Sequence, residues 1–212
     1  MNAFEFPPEF RTRDIATNGT TLHVRSGGSG PAVVLLHGYG ANGDDLIELG
    51  RVWQPRLPGT LFIAPNAPEL MPMGDGGRQW FPLTFRDQGE FWRGVVAARP
   101  RIDAFLDAEL ARHRLDARRL ALVGFSQGTM LALHVGLRRK AGLAAIVGYS
   151  GMLAGPEHMT AEIAARPPVL LIHGAADEQK ARIDEVGLPF ELRARQVRQR
   201  AQALVEVYAE QA

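Results

Sequence analysis

Leu120-Ala121-Leu122-Val123-Gly124-Phe125-Ser126-Gln127-Gly128 decides the fold of this chain. An apolar run of strand type leads into G-x-S-x-G, and a helix-like stretch over 129–139 follows. In that strand–turn–helix context the pattern reads as a sharp elbow that pushes a serine hydroxyl out beyond the end of a sheet. The elbow strains the serine backbone, so its neighbours must lack bulky side chains, which Gly124 and Gly128 satisfy. The helix N-terminus behind Ser126 favours developing negative charge. A glycine-rich turn with an incidental serine is the plainer reading, and the flanking strand and helix weigh against it.

Outward from the elbow, further continuous apolar runs lie at 32–36, 61–64, 143–147 and 169–172. Continuous rather than alternating runs belong to strands covered on both faces. Helix-like segments separate them. One spans 44–53 with acidic residues at its start, and one carries the stripe Ile102, Phe105, Leu106 and Leu110 with Pro100 near its beginning. Asn18-Gly19, between 11–17 and 20–25, reads as a hairpin turn. The alternation predicts an α/β fold of three layers with a mostly parallel central sheet. Residues 65–93, rich in proline, glycine and aromatics, read as a long loop that either helps form a binding site or anchors itself to the core.

Composition narrows the functions. A chain of 212 residues fits one domain over 1–212. A net charge of +1 gives no electrostatic case for nucleic acid or an anionic membrane. Arg138-Arg139-Lys140 reads as cations at a helix C-terminus rather than a nucleic-acid patch. With no cysteines, disulfides, thiolate metal sites and cysteine nucleophiles are excluded. No span of membrane length and no signal-peptide pattern is read, so a cytoplasmic protein is expected. No histidine or carboxylate cluster at ligand spacing is present, so no metal site is expected.

In open parallel sheets ligands bind beyond the carboxyl ends of the strands, and four sequence features fall there. His37-Gly38-Tyr39-Gly40 can present the Tyr39 N–H to an oxyanion, and the Gln127 N–H, one residue after the serine, is the expected second donor. Ser150 follows another strand, but its spacing is not that of an elbow and it reads as structural. Asp177, in His173-Gly174-Ala175-Ala176-Asp177, can orient a base. His37 and His173 each follow a strand and precede glycine, a position more typical of a hydrogen-bonded structural histidine than of a base.

These landmarks, with Leu35 to Leu46, Ala64-Pro65-Asn66-Ala67-Pro68, Gln79-Trp80-Phe81 and Tyr149-Ser150-Gly151, resemble in identity and order the phospholipase/carboxylesterase family, which includes acyl-protein thioesterases. The resemblance covers about residues 32–177. It implies an α/β-hydrolase fold, Ser126 as nucleophile, Asp177 as triad acid, Tyr39 and Gln127 as oxyanion donors, and Trp80 near the acyl pocket. It also implies short to medium carboxylic esters, thioesters or lysophospholipids as substrates, and no cofactor.

The chain departs from the family after the acid. The family carries its catalytic base on a later Gly-His turn, yet no histidine follows His173. Residues 178–212 read instead as a mostly helical tail with the stripe Val197, Ala201, Leu204, Val205 and Tyr208. Three accounts stay open at this level: an out-of-frame C-terminal read, a diverged tail that docks on the sheet or pairs with a second subunit as a homodimer, or a base supplied by another histidine or a partner chain. Two function classes follow. One is a serine hydrolase with impaired turnover; the other is a catalytically inactive binding or interaction protein with a hydrolase fold.

Overall fold

Seven strands form one sheet in the spatial order β1-β2-β4-β3-β7-β8-β9. The structure is a computed structural model and describes residues 8–72, 76–84, 86–87 and 89–174. The strands are β1 (Arg11–Thr17), β2 (Thr20–Gly27), β3 (Ala32–Leu36), β4 (Leu61–Pro65), β7 (Leu120–Phe125), β8 (Ala145–Tyr149) and β9 (Val169–Ile172). Two short strands, β5 (Glu69–Leu70) and β6 (Arg78–Gln79), pair with each other. The helices are α1 (Gly43–Trp53), α2 (Gly89–His113), α3 (Gln127–Arg138) and α4 (Met159–Glu162).

β1 and β2 form the hairpin that Asn18-Gly19 signals, with Thr17 opposite Thr20 and positive φ at both turn residues, 36° and 78°. Across the seven-stranded sheet, from β4 over β3, β7 and β8 to β9, every pairing is parallel. Parallel neighbours need covered crossovers, and α1, α2 and α3 supply them. The expected three-layer α/β-hydrolase architecture is the one observed.

Residue parity along the central strands sorts the core into two layers. Val34, Leu36, Leu120, Leu122 and Ile146 face the larger core, built with Phe105 and Leu106 of α2 and Met130 and Leu133 of α3. Leu35, Phe62, Ala64 and Val123 face a smaller core under α1, which contributes Ile47. α1 is opened by a reciprocal cap: Asn42 Oδ1 accepts from the Asp44 and Asp45 N–H groups, and Asp45 accepts from the Asn42 N–H. Such a cap stabilises a helix by about 1 kcal/mol. Every residue of α3 is buried, which makes it the central helix on the elbow side of the sheet.

Several boundaries differ from the sequence reading. α2 begins eleven residues before Pro100, at Gly89. Val95 and Ala98 extend the buried stripe backward, and the exposed Pro100 ring faces solvent, where water can take the carbonyl it leaves unpaired. Phe91 and Trp92 therefore belong to a helix, and 65–93 also contains the β5–β6 pair. β8 starts at Ala145 rather than at 143, because Leu143 packs into the core from the preceding loop. Arg138 and Arg139 of the basic run are consumed within the fold. Arg138 Nη1 donates to His134 O at 3.2 Å and Nε to Glu162 at 2.7 Å, while Arg139 pairs with Asp103 and Asp107. Asp177 and the tail 178–212 lie outside the described residues. No helix among the described residues is long and apolar enough to cross a membrane.

Candidate active site

β7 passes into α3 through Ser126, whose φ of 50° and ψ of −111° lie outside the ordinary basins for an L-residue. A backbone of this kind costs on the order of 1–3 kcal/mol and persists only where its surroundings over-determine it. Here they do. The Ser126 N–H donates to Tyr149 O at 2.8 Å, and its carbonyl accepts from Thr129 N at 3.0 Å and Met130 N at 3.2 Å. Thr129 Oγ1 lies 2.8 Å from Gly124 O and 2.9 Å from Tyr149 O, tying the turn to two strand ends. The flanking glycines are obligatory in space. A Cβ on Gly124 would run into the Gly128 backbone, and one on Gly128 would overlap the Leu36 carbonyl. Ser126 is half-exposed and Phe125 beside it is 47% exposed.

The loop after β3 lies directly against this turn. A Cβ at Gly38 would stand 2.9 Å from the Phe125 ring and 3.5 Å from Ser126 Cβ, so only glycine lets the loop come this close. The loop is clamped by the main chain of Arg78: the Gly40 N–H donates to Arg78 O and the Arg78 N–H to Ala41 O, both at 2.9 Å. The Arg78 side chain also reaches Ala67 O at 2.9 Å. Tyr39, half-buried, sits within this clamped loop. The Gln127 N–H heads α3, where no intrahelical carbonyl reaches it.

The side chains between the two loops form a buried network. Gln127 is fully buried, and its Oε1 accepts from the Trp80 N–H at 2.9 Å while its Nε2 donates to Phe81 O at 2.7 Å. The Trp80 indole N–H donates to His37 O at 2.8 Å. His37, also fully buried, accepts the Ala67 N–H at Nε2 (2.9 Å), so its proton resides on Nδ1 and donates to Gly38 O (2.8 Å). Burial pushes the His37 pKa down to about 4. With both nitrogens engaged and the ring held neutral, His37 is a structural group bracing the loop. Trp80, 2% exposed, packs against the His37 ring at 4.9 Å beneath the loop.

The other histidines lie elsewhere. His23 pairs with Asp14 on the hairpin at 2.8 Å, His113 approaches Glu109 on α2 at 3.5 Å, and His158 stacks on Trp92 at 3.9 Å. His134 is buried in α3 with its ring edge toward Trp92. His173 follows β9, two strands from β7 and therefore about 10 Å across the sheet from the elbow strand. Among the described residues no group of three histidine or carboxylate side chains is poised to hold a metal. Ser150, φ 46°, donates its N–H to Ile172 O at 2.9 Å and joins the ends of β8 and β9. Asp177 comes three residues beyond the last described position.

Sequence reading missed the braces. Arg78 acts through its main chain, which no side-chain type announces. Gln127 was singled out for its N–H, whereas its side chain also bridges to the Trp80-Phe81 segment.

Comparison with known proteins agrees with this architecture. The model of a family described as phospholipase/carboxylesterase matches residues 24–181. The chain is similar to acyl-protein thioesterase 1 of Schizosaccharomyces pombe, 29% identical over 153 residues that cover 68% of this chain and 67% of the relative. Among solved structures it resembles esterase PE8, with 38% identity, a TM-score of 0.70, and coverage of 85% of this chain and 86% of that one. It also shares its fold with a carboxylesterase from Mesorhizobium loti, with 22% identity, a TM-score of 0.63 and 77% of each chain covered. A strained serine elbow on a parallel sheet, a glycine loop closed against it and this set of relatives make the chain a member of the phospholipase/carboxylesterase family of α/β-hydrolases.

Proposed function

We propose that this protein cleaves short to medium carboxylic esters or thioesters through an acyl-serine intermediate on Ser126, at a turnover limited by the base. The observation that carries the reading is the Ser126 backbone, held at φ 50° where only an over-determined turn keeps a serine. In this reading the carbonyl carbon is attacked by Ser126 Oγ, and the N–H groups of Tyr39 and Gln127 stabilise the resulting oxyanion. Asp177 serves as the triad acid. Trp80 acts through His37 and Gln127, holding both donor loops at fixed separation, and borders the acyl pocket from below. The reaction needs no cofactor and no partner beyond the small-molecule substrate, and the absence of cysteine fits a cytoplasmic site of action.

The base is the weak point of the catalytic machinery. His37, the histidine of the loop abutting the elbow, has both ring nitrogens occupied. Removing one member of a triad typically costs several orders of magnitude, leaving roughly 10³–10⁴-fold over water from binding and the oxyanion hole. This favours a second reading, a binding protein that keeps the pocket and has lost the chemistry. Hydrolysis of p-nitrophenyl acetate and butyrate, compared with Ser126→Ala, separates the two. A rate well above that of the variant supports acyl-serine chemistry. Equal rates in folded protein leave the binding reading standing.

A further inference from the structure

Asn18-Gly19 and Asn42-Gly43 are the two Asn-Gly pairs of the chain, and the fold treats them oppositely. Asparagine before glycine is open to spontaneous deamidation, because no Cβ shields the following backbone nitrogen from the asparagine side chain. At the second pair both reacting groups are occupied. Asn42 Oδ1 accepts from the Asp44 N–H at 2.8 Å and the Asp45 N–H at 3.1 Å, with the backbone held extended at φ −145° and ψ 178°. Gly43 is buried, and its N–H donates to Asn66 Oδ1 at 2.6 Å. A Cβ on Gly43 would stand 2.7 Å from Ala64 O, so the end of β4 closes over it. At the first pair the surroundings are open. Asn18 and Gly19 are both exposed at the hairpin tip, and nothing described lies within 4 Å of where a Gly19 Cβ would stand. The ladder closes at the Thr17–Thr20 pair, which leaves the Gly19 N–H outside it.

We propose that Asn18 is a site of covalent modification, deamidating through a cyclic imide with Gly19 in the folded protein, and that the fold protects Asn42. The Gly19 backbone nitrogen attacks Asn18 Cγ. The new N–Cγ bond replaces the Cγ–Nδ2 bond, and ammonia leaves with the proton that Gly19 gives up. Water then opens the imide. Opening at Cγ gives aspartate; opening at the Asn18 main-chain carbonyl gives isoaspartate, whose main chain runs through the side-chain carbons. The hairpin distinguishes the two products. Asp-Gly suits the same two-residue turn. Isoaspartate adds a methylene to the main chain of a loop whose length sets the register of the strands. It therefore loosens the edge strand β1, which is held to α2 by Thr17 Oγ1 on Arg101 O at 3.0 Å and by the Arg13–Glu109 pair. The reaction needs only water, and it stands whether or not Ser126 turns over.

The full-length protein is aged in mildly alkaline buffer, native and in urea, and digested with trypsin, with an unaged sample as background. Asn18 falls in the peptide 14–25 and Asn42 in the peptide 26–51, so the exchange of ammonia for water is read separately at each by mass. In the native protein Asn18 is expected to react on the order of tenfold faster than Asn42, because freeing Asn42 and Gly43 requires local opening. In urea the two rates converge. Equal native rates overturn the proposal. So does a native difference that persists in urea, which assigns it to the neighbouring residues rather than to the fold. Hydrogen exchange tests the consequence for the hairpin. The isoaspartyl fraction of the aged protein should exchange its β1 amides faster than the parent, whereas Asn18→Asp should match the parent. Equal exchange in all three overturns the loosening of β1.

Discussion

Trp80 and Gln127, far apart in sequence, hold each other across the site: the Trp80 N–H donates to Gln127 Oε1 at 2.9 Å, and Gln127 Nε2 returns a bond to Phe81 O at 2.7 Å. Because the Gln127 side chain is fully buried, its removal strands a donor and an acceptor away from water. Gln127→Ala is expected to lose about 2–4 kcal/mol of stability while leaving the residue 127 N–H in place. Gln127→Glu should be no better, since a carboxylate cannot donate to Phe81 O. Urea unfolding measures both. A loss under about 1 kcal/mol in either variant would show that the bridge is not a structural tie.

Two glycines of the site are required for different reasons, and alanine separates them. At Gly128 a Cβ would overlap the carbonyl of Leu36, at the end of a central strand that cannot retreat. Gly128→Ala is expected to cost more than about 4 kcal/mol, or to leave no soluble folded protein. Gly40 has a φ of +82° but open space where its Cβ would stand. Gly40→Ala should cost only about 1–2 kcal/mol, the steric penalty of the left-handed region. Comparable losses at the two positions, read from unfolding midpoints, would contradict the assignment.

What was legible in the sequence follows from which physical rules are local. β3 falls where a continuous apolar run ends in histidine, because burial on both faces writes itself directly into residue type; β9 falls at a run of the same kind although its residues stay half-exposed. Ser126 was legible because the elbow needs glycine on both sides, and that steric need appears as a motif. The start of α2 was not, since Pro100 is tolerated where its ring faces water, a fact of exposure rather than of composition. The clamp on the Gly40 loop escaped for a different reason: it is made by the N–H and C=O of Arg78, groups that nearly every residue possesses. Asp177 and the tail lie outside the described residues, so their roles rest on sequence alone.

The strain at Ser126 implies a trade between stability and chemistry. Its φ of 50° is costly for any residue with a Cβ and nearly free for glycine. Ser126→Gly is therefore expected to raise stability by about 1 kcal/mol, seen as a higher thermal midpoint, while abolishing acyl transfer. Ser126→Ala keeps the Cβ and should leave the midpoint near that of the parent. A glycine variant no more stable than the alanine variant would mean that the turn is not strained in solution.

His37 and His134 tie the fold to pH through their burial. Burial lowers the first to about 4; the second falls to about 3 through burial and then the nearby Arg138 and Arg99 charges. An unfolded histidine titrates near 6.5. Above that value both states are neutral at these sites and nothing is lost. As pH falls from 6.5 toward 4 the unfolded chain gains two protons that the folded chain refuses, so stability declines. The slope is on the order of 1 kcal/mol per pH unit for each histidine in the lower part of that window. Thermal unfolding at pH 7.5, 6.0 and 5.0 should show a midpoint steady at the top and falling at the bottom. His134 makes no hydrogen bond through Nδ1, so His134→Phe removes a titrating group without stranding a partner there. That variant should show a shallower acid slope, the remainder coming from His37 and from His113, which burial also lowers, whereas an unchanged slope would place the acid sensitivity elsewhere.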